Sequence, residues 1–222
     1  MIRAFAPGLV VLAGMAAFSP VRAADGAARI APGAKVERVA AGFRHGEGPL
    51  WHPDGFLLFG DTPGGRIVCV EESGAVSVFR EPAGRTTALA FDPAGRLVAN
   101  ESHGGEEGRP RVARREKNGG WVTLADRFEG KRFNSLNDLA IDSHGRIFFT
   151  DPRDSKRETM ALTHESVYRL DPDGKLTRLT DEFVRPNGIL ITSDDRTLYV
   201  ADNPATGDKP AAPWAFGIAA SG

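Results

Sequence analysis

The sequence predicts an all-β chain built as part of a β-propeller, and two observations carry that prediction. Four stretches share one pattern: "EGPLWHPDGFLLFGD" from 47, "TALAFDPAGRLVANE" from 87, "NDLAIDSHGRIFFTD" from 137 and "NGILITSDDRTLYVAD" from 187. Each is an apolar strand, a polar turn, a second apolar strand and a closing acid, and the starts lie 40, 50 and 50 residues apart. That spacing is the period of a propeller blade. Between the repeats, "RIVCVEESGAVSVF", "RVARREKNGGWVTLA" and "SVYRLDPDGKLTRLT" alternate apolar and polar residues about a further glycine turn, as half-exposed outer strands do. Each unit therefore supplies about four strands, the content of one blade.

The turns explain why the repeats are hairpins. Pro53-Asp54-Gly55, Pro93-Ala94-Gly95 and Ser143-His144-Gly145 place glycine where a tight turn needs positive φ, between runs rich in Leu, Ile, Val and Phe. A β-sandwich also has many short strands, but it does not require an internal repeat. No amphipathic helix of ordinary length follows residue 24, which sets α/β architectures aside, and "HGEGP" leads into strand pattern rather than a helix, so its glycines form no phosphate loop.

Taken in order, residues 1–23 read as a signal peptide: Arg3, the apolar "GLVVLAGMAAF" and Val21-Arg22-Ala23 as a cleavage site. The apolar stretch is shorter than the ~20 residues a membrane span needs, so export with cleavage after Ala23 is expected, to the periplasm or the exterior. Residues 24–40 form an N-terminal lead-in, 41–203 the blades, and 204–222 a divergent tail whose "GDKPAAPWAFGIAASG" loses the strand pattern. Cys69, the single cysteine, lies in the apolar "RIVCV", so no intramolecular disulfide forms and the 199 residues after cleavage must hold together by their core. With 28 basic and 29 acidic side chains, net charge −1, nothing electrostatic favours nucleic acid or an acidic membrane surface.

The innermost strands of a propeller line a central channel, and the first positions of the inner strands converge there. In the repeat register these are Glu47, Thr87, Asn137 and Asn187: a carboxylate, a hydroxyl and two amides. Oxygen donors without thiolate or imidazole suit a hard divalent cation, calcium before magnesium. The closing acids Asp61, Glu101, Asp151 and Asp202 are expected to accept hydrogen bonds from loop backbone instead. In "ESHGGEEGR" only His103 is expected to face the channel mouth; His45, His52, His144 and His164 show no metal-ligand spacing, and no G-x-S-x-G elbow exists.

The stretches "EGPLWHPDG", "GDTPGGRI", "KRFNSLNDLAIDSHGRIFFTDP" and "RPNGILITSDDRTLYVAD", spanning roughly residues 40 to 203, resemble the senescence-marker protein (regucalcin)/gluconolactonase-like six-bladed propellers. The resemblance implies that Glu47 and Asn187 bind a divalent metal and that Asn137 is a ligand or substrate contact beside it. Calcium is expected first, with zinc and manganese as the other candidates. Thr87, His103, Asn134 and Asn137 are the candidate substrate contacts, Asn134 as a rim residue. The implied activity is metal-dependent hydrolysis of sugar lactones or similar small esters. The family's further metal-site aspartate, the usual candidate base, would fall near residues 227 to 237, past residue 222, which leaves the catalytic residue unassigned and about four blades of six. Three classes stay open at this stage: a lactone hydrolase, a non-catalytic propeller binding calcium or a sugar acid, and a shortened gene product without stable function. Open blade faces imply self-association and little activity for the chain alone.

Overall fold

The computed structural model describes residues 33–102, 108, 110–153, 161–204 and 211–219. The expected signal peptide at 1–23 and His103 lie outside the described residues. The contacts divide the chain into Met1–Arg38 and Val39–Gly222, and every described strand belongs to the second unit.

Four antiparallel sheets follow one another along the chain as four blades. Blade I is β1 (Gly46–His52), β2 (Phe56–Asp61), β3 (Arg66–Glu71) and β4 (Val76–Arg80); blade II is β5 (Thr86–Phe91), β6 (Leu97–Glu101), β7 (Arg111–Arg115) and β8 (Trp121–Ala125). A small ribbon of β9 (Arg127–Phe128) and β10 (Lys131–Arg132) precedes blade III, which is β11 (Leu139–Ile141), β12 (Ile147–Asp151), β13 (Ser166–Leu170) and β14 (Leu176–Thr180). Blade IV is β15 (Pro186–Ile191), β16 (Thr197–Asp202) and β17 (Ala212–Gly217). Each repeat seen in the sequence is the inner hairpin of one blade, and each alternating stretch supplies the outer strands of blades I to III.

One expectation needs correction. The segment read as a divergent tail contains β17, which pairs with β16 from Thr197↔Gly217 to Asp202↔Ala212. Its strand pattern is masked by Pro213 and two alanines, but an outermost strand tolerates a proline whose missing N–H would face solvent. Phe216 and Trp214 then pack edge-on against Phe183, with centroids 5.9 and 6.1 Å apart.

The inner hairpins turn through residues that accept positive φ, such as Gly95 (73°) and Gly145 (78°). An aspartate locks two of them. Asp92 Oδ1 accepts the N–H groups of Ala94 and Arg96, and Asp142 Oδ1 those of His144 and Arg146, while the Arg96 and Arg146 guanidiniums close back on the same carboxylates. Blade IV has the extra turn residue and no glycine, and Asp195 adopts φ 57° there.

Apolar faces of adjacent blades meet in separate cores. Leu58, Ile67 and Cys69 of blade I pack on Leu89, Leu97 and Ala99 of blade II. Blades II and III share Val98, Val112, Leu136, Phe149 and Tyr168, with Phe133 edge-on to both Phe149 and Tyr168 at 5.4 Å. Phe148 and Val167 of blade III meet Ile189, Leu198 and Val200 of blade IV. At the inner strands the backbones themselves touch: a Cβ on Gly60 would stand 2.1 Å from the Thr86 carbonyl oxygen, so only glycine fits. The blades are thereby held in an arc around one central volume.

Candidate functional site

Glu47 and Asn187 lie at the starts of inner strands β1 and β15, Thr87 in β5, and Asn137 two residues before β11. Asn137 already pairs with the second strand of its hairpin, its N–H donating to the Thr150 carbonyl at 3.0 Å. Side chains from the hairpins of blades II and III reach the backbone at the start of the next blade. Thr87 Oγ1 donates to the Leu136 carbonyl (3.0 Å), Asn100 Nδ2 to the Asp138 carbonyl (3.0 Å) and Thr150 Oγ1 to the Asn187 carbonyl (2.8 Å). These bonds fix the inner-strand starts of blades II, III and IV relative to one another. They also occupy the Thr87 hydroxyl, which joins blade II to blade III.

A residue that the repeat comparison passed over stands at the crossing of these bonds. Asp138 Oδ2 accepts the Ile189 N–H of blade IV at 2.9 Å, and Oδ1 accepts the Leu139 N–H at 2.9 Å. Burial pushes its carboxyl above the usual range, the two N–H groups pull it down, and the nearby Glu47 carboxylate pushes it further up. The Glu47 carboxylate of blade I thus lies near enough to act on Asp138 of blade III. The signal was present in the sequence: the residues after the first positions are Gly48, Ala88, Asp138 and Gly188, one acid among small residues. A residue that breaks a repeat in this way is a candidate functional position.

The closing acids belong to the scaffold at the same end of the blades. Asp61 accepts the N–H groups of Arg44 (3.1 Å) and His45 (3.4 Å), Asp151 those of Asn134 and Ser135 (both 2.8 Å), and Asp202 those of Val184 (3.2 Å) and Arg185 (2.7 Å). Each ties the segment leading into an inner strand to the same blade. Glu101 instead pairs with Arg80 at 2.6 Å and Arg111 at 2.9 Å. Asn134 is part of this scaffold: it is buried, and its Nδ2 donates to the His164 carbonyl at 2.9 Å. Its Oδ1 has no partner among the described residues. The structure thus brings Glu47, Asn137 and Asn187 to one end of the arc and adds Asp138, while Thr87 and Asn134 spend polar groups on neighbouring backbone.

The donor set fits a divalent ion. It offers two carboxylates and two amides, and a dication would offset the push of the Glu47 charge on the Asp138 carboxyl. Each Asp138 oxygen accepts one N–H and keeps a lone pair. Among the described residues no three His, Cys, Asp or Glu side chains cluster closely enough to hold a metal, so amide oxygens would have to complete the shell. A separate groove of about 290 Å³, lined by Pro93, Arg96, Arg114, His144 and Pro172, lies at the opposite, turn end of blades II and III. Its arginines are paired with Asp92 and Glu116.

Residues 45–207 match the region described as SMP-30/Gluconolactonase/LRE-like. The gluconolactonase of Zymomonas mobilis is 31% identical over 190 residues, 76% of this chain and 51% of that protein. The pentonolactonase of Haloferax volcanii is 30% identical over 169 residues, 73% of this chain and 51% of that protein. Among solved structures, the Xanthomonas campestris gluconolactonase superimposes with a TM-score of 0.68 at 36% identity, covering 78% of this chain and 58% of that one. The chain spans about half the length of the curated relatives it matches.

Proposed function

Because the chain belongs to the SMP-30/gluconolactonase/LRE-like family, we propose that it is a divalent-metal-dependent hydrolase of sugar lactones or similar small cyclic esters. The observation that supports this reading best is the set of oxygen donors Glu47, Asn137, Asp138 and Asn187 gathered at the inner-strand starts of blades I, III and IV. Calcium suits that set first, since it accepts many oxygens in loose geometry; zinc and manganese are the competing ions.

Hydrolysis adds water across the acyl C–O bond: the hydroxide part goes to the carbonyl carbon, and the ring oxygen leaves as a hydroxyl after taking a proton. A bound divalent ion supplies Lewis acidity at the carbonyl and a more acidic water. The chain's own residues hold charge and orient. Glu47 and Asp138 provide two negative charges, with Asp138 fixed by the Ile189 and Leu139 N–H groups. The Asn137 amide can accept with Oδ1 or donate with Nδ2 to a lactone oxygen.

The test is hydrolysis of glucono-δ-lactone, followed by acid release, before and after chelation and with calcium, zinc or manganese restored. The reading expects a rate that chelation removes, that one of the ions restores, and that Asn187→Ala lowers. A rate indifferent to chelator would overturn it, and binding of ion and aldonate without turnover would assign a binding propeller instead. Export is part of the same proposal: cleavage after Ala23 places the protein in the periplasm or outside the cell. The intact mass of protein from a periplasmic fraction checks it.

A further inference from the structure

His45 stands two residues before Glu47 with Gly46 between them, a spacing that puts both side chains on one face of an extended chain. Its ring Nε2 lies 2.8 Å from Glu47 Oε1. Among the described residues this is the hydrogen bond made by the Glu47 side chain, so Oε2 is left open. The His45 backbone is pinned from both sides: its N–H donates to Asp61 Oδ1 at 3.4 Å and its carbonyl accepts the Thr62 N–H at 3.1 Å. Asp61 is buried and gripped in turn by Arg66 at 3.0 Å. A continuous path thus runs from the Arg66 guanidinium through Asp61 and the His45 backbone to the imidazole and the Glu47 carboxylate.

The other repeats lack this device. The residues two before Thr87, Asn137 and Asn187 are Arg85, Ser135 and Arg185. The imidazole therefore occurs in the one repeat whose first position is a carboxylate on a long side chain. Glu47 keeps 30% side-chain exposure, enough to let an untethered carboxylate sample several rotamers. A donor on one oxygen removes that freedom and points the other at the centre.

Resting on the metal reading above, the geometry points to His45 as a positioning residue: its Nε2–H holds Glu47 Oε1 so that Glu47 offers a single oxygen, Oε2, to the ion. Hydrogen-bonded partners of ligating carboxylates set ligand orientation and affinity in this way. The role requires an N–H at the Nε2 position rather than an imidazole as such. Glutamine places an amide N–H at a comparable reach, whereas alanine supplies none.

Calorimetric titration with calcium tests it on five proteins: the unaltered chain, His45→Ala, His45→Gln, Glu47→Ala, and His45→Ala combined with Glu47→Ala. The His45 ring is 62% exposed, so neither substitution empties the core, and the metal-free melting temperature checks that each variant is folded. His45→Ala is expected to weaken binding by about tenfold and His45→Gln to stay within about threefold of the unaltered chain. In the Glu47→Ala background, loss of His45 should change affinity no further. Equal affinity of His45→Ala and the unaltered chain would overturn the inference, as would equal losses in the alanine and glutamine variants. A further loss in the Glu47→Ala background would make His45 a direct ligand and also overturn it. Failure of the unaltered chain to bind any ion would overturn the metal reading, and the inference with it, a result distinct from the other three.

Discussion

Removing the charge of Asp151 should change how the stability of the fold depends on pH. In blades I and II the closing acid faces an arginine on the next strand, Asp61↔Arg66 and Glu101↔Arg111. In blade III the facing residue is Ser166. Burial pushes the Asp151 carboxyl up to about 7, against the N–H groups of Asn134 and Ser135, with Glu165 adding to the rise and Arg153 opposing it. The unfolded chain releases this proton near the ordinary aspartate value of 3.8. The folded state therefore holds a proton that the unfolded state lacks between these values. The associated stability is fully present below about 3.8 and is lost as pH rises through about 7. At about 1.4 kcal/mol per pH unit the whole window is worth about 4 kcal/mol, and the part above about pH 5 is worth about 3 kcal/mol. Asp151→Asn keeps a carbonyl oxygen for both N–H donors and cannot ionise. Urea unfolding of both proteins, followed by tryptophan fluorescence at about pH 5 and about pH 8, cancels the titration of groups that do not interact with Asp151. The stability of the unaltered chain relative to Asp151→Asn should fall by about 3 kcal/mol between those conditions. Parallel pH dependence of the two proteins would refute the assignment of a raised carboxyl to this position.

Two other outcomes follow from packing. Phe133→Ala removes a ring that is 1% exposed and edge-on to Phe149 and Tyr168; urea unfolding should show a loss of about 3–5 kcal/mol. Trp51, Val76 and Val78 of blade I and the facing pair Leu190 and Tyr199 of blade IV leave apolar groups on the sheet surface, with Trp51 at 59% and Leu190 at 61% exposure. Sedimentation velocity should therefore show concentration-dependent self-association of the chain that Leu190→Lys with Tyr199→Lys reduces, and a monomer at all concentrations would count against this.

The inner hairpins were legible because their signals are local. A glycine turn between two apolar runs specifies the hairpin, and four copies in register specify the blade. The same local reading placed Asp61, Asp151 and Asp202 on loop backbone, where they are found. What escaped was short or non-local. The β9–β10 ribbon has two residues per strand, too few for a period, and only its turn betrays it: Glu129 and Gly130 at φ 49° and 77°. The third strand of blade IV was hidden by Pro213. The Thr87 hydroxyl meets a carbonyl 49 residues away in sequence, a contact no spacing rule reveals. Asp138 was missed for a different reason. It is a single acid beside Asn137, and only the N–H of Ile189, 51 residues on, shows that Asp138 is held at the junction of two blades.

The central claim is that side chains from blades I, III and IV share one ion. Calcium titration calorimetry of the unaltered chain, Glu47→Gln, Asp138→Asn and Asn187→Ala tests it most directly. One site per chain is expected, with each substitution weakening it at least about tenfold, because the first two remove a charge and the third removes a ligand. Affinity unchanged in all three variants, or no binding with calcium, zinc or manganese, would contradict the shared site.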